Sequence, residues 1–380
     1  MANSAKPPVL VMVQLSGGND YLNTIIPYNN GLYQDYRPNI GIPQDTVLPI
    51  DNTFGFNPNL APLKEKFWDT GKMALIHGIG FPNCNRSHFR SMDVWHTAEP
   101  DKMGTEGWLG RAVREIDPKG ENVLTAVSFG PGLPRAMALP GVPVASVMEL
   151  ERYGVLTGIT PQQERDQALE IFARMYGPTV GTNYVMDYLS QTGSDILKGA
   201  DVLKTAPAKY SSTIEYANTP IAQSLKGVAQ VHLADLGARV LYAEYGGFDT
   251  HANELATHEP LWQNLSAALV DFYDDLKEHD ASDNVIIVLF TEFGRRVRDN
   301  GTGTDHGTGG GAFVIGDPVK GGFYSEYPSI QEEKLLDGDL QFNYDFRGLY
   351  TSVLEQWMGL DAKPCVGGTF EQLNFLQKPN

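Results

Sequence analysis

Acidic residues and histidines occur together in short segments of this sequence that are bounded by glycine. Asp249 and His251 lie two residues apart after a Gly-Gly pair, and Asp305 and His306 are adjacent in a run of glycine and threonine. Mixed carboxylate and imidazole ligands suit a borderline or hard divalent cation. We therefore predict a metal site whose candidate ligands are Asp20, Asp249, His251, Glu292, Asp305 and His306.

Each of these segments also has a purely structural interpretation. Asp305 can close an Asx turn, and Asp20 can cap the turn in which it lies. Glu292 can form an exposed ion pair with Arg295 or Arg296. No segment is decisive alone, and it is their joint occurrence that favours a metal site.

A serine and a histidine at the start of a predicted helix supply candidate catalytic groups. The oxygen of Ser87 would lie near the positive end of the helix dipole, which stabilises an anionic attacking group or a phosphate. The competing interpretation makes Ser87 an ordinary helix N-cap. His88 is a candidate for substrate contact, and Arg295, ahead of Arg86, would hold anionic substrate oxygens by a bidentate contact.

Apolar strands must position these residues. Near-continuous apolar runs that end in glycine or polar residues predict buried strands. They lie at residues 9–15, 73–79, 123–129, 239–245, 284–290 and 311–315. Ligands of an open α/β sheet bind at the carboxyl ends of its strands, so the polar segments that follow these strands are expected to converge on one rim.

Helical patterning separates the strands. Helices are predicted at residues 87–96, 160–197, 214–236, 259–279 and 346–358, with Pro161 and Pro260 near two helix starts. Strands that alternate with helices indicate an α/β fold with a largely parallel central sheet and helices on both faces. The sequence shows no repeat and no clean boundary, so we expect a single domain over residues 1–380.

Composition excludes several classes of partner. The 380 residues carry a formal net charge of −17, whereas nucleic acids and anionic membrane surfaces require a basic face. A small anionic ester remains compatible with this charge, because a bound cation reverses the local potential. No apolar run approaches the ~20 residues that span a bilayer. The N-terminus lacks a basic-then-apolar signal, which leaves a cytoplasmic location or a mature exported form open.

Five motifs resemble those of the domain of unknown function 1501 family, within the alkaline phosphatase-like and sulfatase-like superfamily. They are GGND-x-LN-x-x-x-PY (17–28), NRSHF-x-x-x-D-x-W (85–95), GGFDTHANE (246–254), TEFGRRV (291–297) and GTDHG (303–307), and the resemblance runs from residue 10 to about residue 358. The resemblance implies the alkaline phosphatase-like fold. It also implies a periplasmic or secreted protein exported by the twin-arginine route, although a cytoplasmic location stays open.

The resemblance further implies a hydrolase of phosphate or sulfate esters that uses one or two divalent ions (zinc, calcium or manganese). By motif, Ser87 would be the nucleophile, and Asp20, Asp249, His251, Glu292 and His306 would be ligands with Asp305 beside them. The sequence departs from the superfamily at Phe293, where a histidine is expected, which puts a second zinc in doubt. A non-catalytic metal-containing binding protein and a metal-dependent mutase or isomerase are the alternatives.

Overall fold

The computed structural model describes residues 6–150 and 202–377, together with positions 163–164, 167–168, 170–171 and 199. The helix predicted at 160–197 therefore lies almost wholly outside the described residues. The strands are β1 Val9–Ser16, β2 Ile25–Ile26, β3 Leu48–Pro49, β4 Gly55–Phe56, β5 Met73–Gly80, β6 Ala126–Phe129, β7 Ala145–Val147, β8 Val240–Gly246, β9 Val285–Thr291, β10 Gly310–Ile315, β11 Gly322–Tyr324 and β12 Tyr344–Asp345.

The described helices fall between these strands. They are α1 Gly31–Tyr36, α2 Ala61–Leu63, α3 His88–Thr97, α4 Trp108–Ile116, α5 Ala206–Lys209, α6 Pro220–Leu233, α7 Glu254–Glu278, α8 Phe346–Ser352 and α9 Lys363–Val366. Wider π-type turns occupy Lys64–Trp68 and Val353–Met358, and 3-10 turns occupy Pro58–Leu60, Arg135–Met137 and Glu332–Lys334.

The main sheet has the strand order β11-β5-β10-β9-β1-β8-β6-β7, and β12 also pairs with β5. Every pairing in it is parallel except those of β10 with β5 and β9. A small antiparallel sheet of order β2-β4-β3 lies apart from it. The predicted α/β class with a largely parallel sheet is confirmed.

Both faces of the sheet are covered. Alternate residues of β1 point to opposite sides, so Val11 packs in a core with α6 and α7, and Met12 packs in a second core with α3, α4 and α8. Burial on both faces explains why these strands read as continuous apolar runs. No described helix is both long enough and apolar enough to cross a membrane. A single domain over 1–380 stays a prediction.

Some boundaries differ from the prediction. Helix α6 begins at Pro220 rather than at 214, because Thr219 caps it by accepting a hydrogen bond from the Ala222 backbone N–H. Helix α7 begins at Glu254, so Pro260 lies within the helix rather than in its first turn. Strand β6 begins at Ala126 because the Asn122 side chain holds the preceding turn through Leu124 N.

The antiparallel direction of β10 matters for the site. Every site segment was expected to follow a strand, but His306 precedes β10. Because β10 runs against β9, its first residue lies at the edge where β1, β8 and β9 end. The loop that carries Asp305 and His306 therefore reaches the same rim by entering a strand rather than by leaving one.

Gly311 in β10 allows the loop after β1 to pack against the sheet. A Cβ at this position would lie 2.0 Å from Tyr21 Cε2. The Tyr21 ring is buried, its hydroxyl lies 2.5 Å from His77 Nδ1, and it stacks on Tyr327 with ring centroids 5.7 Å apart. The ring consequently has no room to move aside.

We predict that Gly311→Ala lowers the free energy of unfolding by about 1–3 kcal/mol, the usual cost of overpacking a core. Gly31→Ala is the matched control, because a Cβ at Gly31 meets no atom within 4 Å. Denaturant unfolding of the two variants measures the difference. Equal stability of both variants would show that Tyr21 is free to shift.

Candidate metal centre and cleft

Four side chains converge where β1, β8 and β9 end. Asp249 Oδ1 lies 3.1 Å from His251 Nε2, 3.1 Å from His306 Nε2 and 3.5 Å from His88 Nε2. The two nitrogens His251 Nε2 and His306 Nε2 are 2.8 Å apart. Candidate ligand atoms of His88, Asp249 and His306 all lie within 4.8 Å of one another. We call these four residues the His/Asp cluster.

The second nitrogen of each histidine has an oxygen partner. His88 Nδ1 lies 2.8 Å from Glu292 Oε1, and His251 Nδ1 lies 3.1 Å from Asp305 Oδ1. His306 Nδ1 lies 2.7 Å from the backbone carbonyl of Arg86. When Nδ1 donates in each of these contacts, the three Nε2 atoms are left as acceptors that point into the cluster. Histidines that bind metals in proteins are oriented in this way.

Glu292 lies behind His88 rather than in the His/Asp cluster. Its side chain is 2% exposed, and it accepts hydrogen bonds from Gly17 N at 2.9 Å and from the Thr291 hydroxyl at 3.0 Å. The hydrogen bond from His88 to Glu292 raises the pKa of His88. Asp305 occupies the equivalent place behind His251. Both carboxylates were predicted as direct ligands, and the structure instead places each of them against the Nδ1 atom of a histidine.

Arg295 is buried, and protein acceptors surround its guanidinium. Its Nε donates to the Gly18 carbonyl at 2.7 Å, its Nη1 to Thr304 O at 2.9 Å, and its Nη2 to Gly17 O and to Asp249 Oδ1, each at 2.5 Å. This placement differs from the expected bidentate contact with substrate oxygens, because the guanidinium is already saturated with protein acceptors. Partial burial acts to raise the pKa of Asp249, but the hydrogen bond and charge of Arg295 outweigh it and lower that pKa to about 2.

Asp20 lies outside the His/Asp cluster, contrary to its predicted role as a ligand. Both of its carboxylate oxygens bind the Arg37 guanidinium, and Oδ1 also accepts from Leu22 N at 3.1 Å. The side chains of Asp20 and Arg37 are 1% and 0% exposed. The loop after β1 turns back toward α1, so Asp20 meets an arginine that sequence spacing alone does not single out.

Glu254 completes this buried network. Its Oε1 accepts from Asn23 Nδ2 at 2.9 Å, and its Oε2 accepts from the Thr304 hydroxyl at 2.8 Å. Burial and the neighbouring Asp20 charge raise the pKa of Glu254 to about 9. Burial also acts to raise the pKa of Asp20, but the charge of Arg37 outweighs it and lowers that pKa. The pair therefore holds one proton on Glu254 and one negative charge opposite Arg37.

Ser87 occupies the N-cap position of α3, directly before His88. Its side chain makes no capping hydrogen bond to that helix. An ordinary N-cap serine would make such a bond, so this geometry does not support the interpretation of Ser87 as a capping residue only. Its backbone N–H donates to Asn85 Oδ1 at 3.1 Å. Arg86, with φ 62°, is held by an ion pair to buried Asp339 at 2.7 Å. Arg86 thus fixes the turn before α3 while its carbonyl holds His306.

A cleft of about 500 Å³ opens beside the His/Asp cluster, between α3 and the sheet. His88, Asp249 and Glu292 lie at one end of its lining. Sequence reasoning missed the rest of this surface, which includes Gln14, Ser16, Phe89, Met92, Arg135 and Glu244. The signal was present in the strands, since Gln14 and Glu244 interrupt otherwise apolar runs.

Comparison with known families agrees with the motifs. A family model described as protein of unknown function (DUF1501) matches residues 76–364. The chain belongs to the DUF1501 family. The predicted family membership is confirmed, and all members of the His/Asp cluster lie inside the matched range. No functionally curated protein matches the chain in sequence.

Solved structures to which the chain is similar include a protein of the alkaline phosphatase superfamily from Vibrio parahaemolyticus. It is 11% identical with a TM-score of 0.43, over 95% of this chain and 69% of that one. A 2-O GAG sulfatase, BT1596, is 11% identical with a TM-score of 0.36, over 97% and 76%. The soluble domain of lipooligosaccharide phosphoethanolamine transferase A from Neisseria meningitidis is 11% identical with a TM-score of 0.38, over 93% and 89%.

We predict that Arg37→Met destabilises this DUF1501 chain by about 3–5 kcal/mol, because it leaves the Asp20 carboxylate buried and unpaired. Arg298→Met is the control, since Arg298 pairs with Glu332 on the surface and should cost about 0–1 kcal/mol. Denaturant unfolding measures both. Folded Asp20→Asn should bind as much metal as the unmodified chain, and a loss of metal from it would restore Asp20 as a ligand.

Proposed function

We propose that the chain is a metal-dependent hydrolase of phosphate or sulfate esters, with one divalent ion bound by Asp249, His88, His251 and His306. The observation that carries the proposal is the convergence of three imidazole nitrogens on one carboxylate oxygen. With their Nδ1 atoms donating elsewhere, His251 and His306 present lone pairs to each other across 2.8 Å. Such an arrangement is repulsive unless a proton or a cation lies between the two rings.

The spacing from Asp249 Oδ1 to each imidazole nitrogen fits a transition metal. Four ligands at about 2.0–2.1 Å in tetrahedral geometry lie roughly 3.3 Å from one another. The distances from Asp249 Oδ1 to the three imidazole nitrogens are 3.1, 3.1 and 3.5 Å. Three imidazoles and one carboxylate favour zinc or a similar transition ion over calcium, which requires more oxygen ligands. With Glu292 and Asp305 behind the histidines, the described residues support one ion better than two.

The chain's own residues would then have separate roles in the reaction. When bound, the ion supplies Lewis-acid polarisation of an ester oxygen and lowers the pKa of a nearby nucleophile. Ser87, at the N-terminus of α3 beside His88, is the candidate nucleophile on phosphorus or sulfur. Glu292 and Asp305 hold the histidine rings in place. The complete reaction adds the hydroxyl group of water to phosphorus or sulfur and a proton to the departing alcohol oxygen.

The alternative is a non-catalytic metal-containing binding protein on the same fold. The burial of Arg295 favours it, because this first arginine of the TEFGRRV motif is not free to hold an anionic substrate. Elemental analysis of the purified chain, followed by assays on phosphate mono-, di- and triesters and on sulfate esters, separates the two functions. Bound metal without turnover on any ester would favour the binding protein.

A periplasmic or secreted location stays a prediction.

We predict that His251→Ala and His306→Ala each lose bound metal and the thermal stabilisation that added metal gives the unmodified chain. Glu292→Gln should weaken metal affinity about 10–100-fold without abolishing it, because it acts through His88. His279→Ala is the control, since His279 binds backbone carbonyls at the end of α7. Metal analysis and melting curves with and without zinc provide the measurements. Full metal content in both alanine variants would refute the centre.

We predict that Ser87→Ala lowers kcat on the best ester at least about a thousandfold while metal content stays unchanged, because removal of an attacking group acts on the chemical step alone. Ser329→Ala, on the loop after β11, is the control. If Ser87→Ala keeps most of its activity, water is the attacking group and the serine only begins the helix.

A further inference from the structure

The cleft extends well past the His/Asp cluster. One wall is a single face of α3, which presents Phe89, Met92, Asp93 and His96. The floor is formed by side chains of β1 and β8 near their carboxyl ends. A volume of about 500 Å³ is in the range of sites that bind small molecules. The part of the cleft beyond the cluster, here called the distal cleft, is where the alcohol half of an ester would lie.

The floor of the distal cleft is polar where the same strands are otherwise apolar. On this face of the sheet Leu10 and Met12 belong to the core, but the next residue of β1 on that face is Gln14. Gln14 lies opposite Glu244 in the register of β1 and β8. Gln14 Nε2 donates to the Ser16 hydroxyl at 2.6 Å, which donates to Glu244 Oε1 at 2.7 Å. These two hydrogen bonds fix the Glu244 carboxylate at the cleft surface.

Charge in the distal cleft is balanced. Asp93 pairs with both Arg90 at 2.5 Å and Arg135 at 2.6 Å, which leaves this triad with one net positive charge. Glu244 supplies one negative charge, and among the described residues it has no ion-pair partner. Burial lowers the pKa of His96 to about 4, so that imidazole is neutral. The surface therefore offers both donors and acceptors without an excess of either sign.

An exposed aromatic ring stands at the mouth of the cleft. Phe89 is 92% exposed, directly after His88, and Met92 lies one turn further along α3. An exposed phenylalanine loses the free energy that burial would give it, roughly 1.5–3 kcal/mol for a side chain of this size. A ligand with one apolar face would recover part of that by covering the ring.

We infer that the distal cleft binds a neutral, polyhydroxylated ring, so that the ester hydrolysed at the His/Asp cluster is a phosphate or sulfate ester of a sugar-like alcohol. A hydroxyl group both donates and accepts, which matches Arg135 and Glu244 on a surface without excess charge. The C–H face of such a ring packs on Phe89 by hydrophobic contact. The inference rests on the proposed function and specifies its substrate class.

The test compares esters that share one oxyanion and differ in the alcohol. With the metal-loaded chain, kcat/KM is measured for glucose 6-phosphate, 4-nitrophenyl phosphate and 6-phosphogluconate, or for glucose 6-sulfate and 4-nitrophenyl sulfate if only sulfate esters react. The variants are Phe89→Ala, Phe89→Trp and Glu244→Ala, with Phe323→Ala as a control. Phe323 is a partly exposed phenylalanine on edge strand β11, outside the cleft lining.

We expect Phe89→Ala and Glu244→Ala each to lower the ratio of sugar ester to nitrophenyl ester kcat/KM about tenfold or more. Phe89→Trp should keep the ratio close to that of the unmodified chain, and Phe323→Ala should not change it. 6-Phosphogluconate carries a carboxylate and has an open chain in place of the ring, so it should be the poorer sugar ester in the unmodified chain. Equal losses on both alcohols, or no loss, would overturn the inference.

A second measurement keeps the inference separate from the proposed function. Ligand-observed NMR tests binding of methyl glucoside, methyl galactoside and myo-inositol, none of which carries an ester, to the full chain in EDTA. Binding that Glu244→Ala and Phe89→Ala weaken supports the inference even if no ester is hydrolysed. If esters are hydrolysed but none of the three polyols binds, the inference fails and the proposed function stands.

Discussion

One guanidinium joins the loops that form the centre. Arg295 donates to backbone carbonyls of Gly17 and Gly18 after β1, of Phe248 after β8 and of Thr304 before β10, and also to the Asp249 carboxylate. Its charge is buried, and such a charge is stable only when its donors are satisfied. The three loops must therefore come together for Arg295 to be buried, and Asp249 and His306 come together with them. Arg295 thus holds these loops together, and its donors are occupied by protein acceptors.

A second buried network holds the same loops in place. Asp20, Arg37 and the protonated Glu254 tie the loop after β1 to the start of α7, and Arg37 also donates to backbone carbonyls of Arg296 and Val297. The segment that carries Arg295 is thereby held from both ends. Rigid support of this kind keeps the side chains of the His/Asp cluster at fixed separations, as the proposed metal centre would require because coordination distances tolerate little variation.

The overall charge of −17 and the local charge at the centre are separate matters. Asp249 is paired with Arg295 and Asp93 with two arginines, so these two carboxylates of the cleft are neutralised by arginines, whereas Glu292 accepts a hydrogen bond from His88. A divalent ion in the His/Asp cluster would add two positive charges at this end of the cleft despite the acidic surface around it. An anionic ester group at the ion and a neutral alcohol in the distal cleft are consistent with that distribution.

The sequence by itself determined the α/β class, the buried strands and the segments that meet at the carboxyl edge of the sheet. It could do so because burial on both faces requires continuous apolar runs, and because parallel strands deliver their following loops to one edge. The single-sequence pattern also singled out Asp249, His251 and His306. Tertiary structure alone decided which polar side chains face the cluster, which lie behind it and which are paired elsewhere. Asp20 meets Arg37, Glu292 meets His88 and Arg295 meets backbone carbonyls because long-range packing sets those distances, whereas sequence spacing fixes only neighbours along one element.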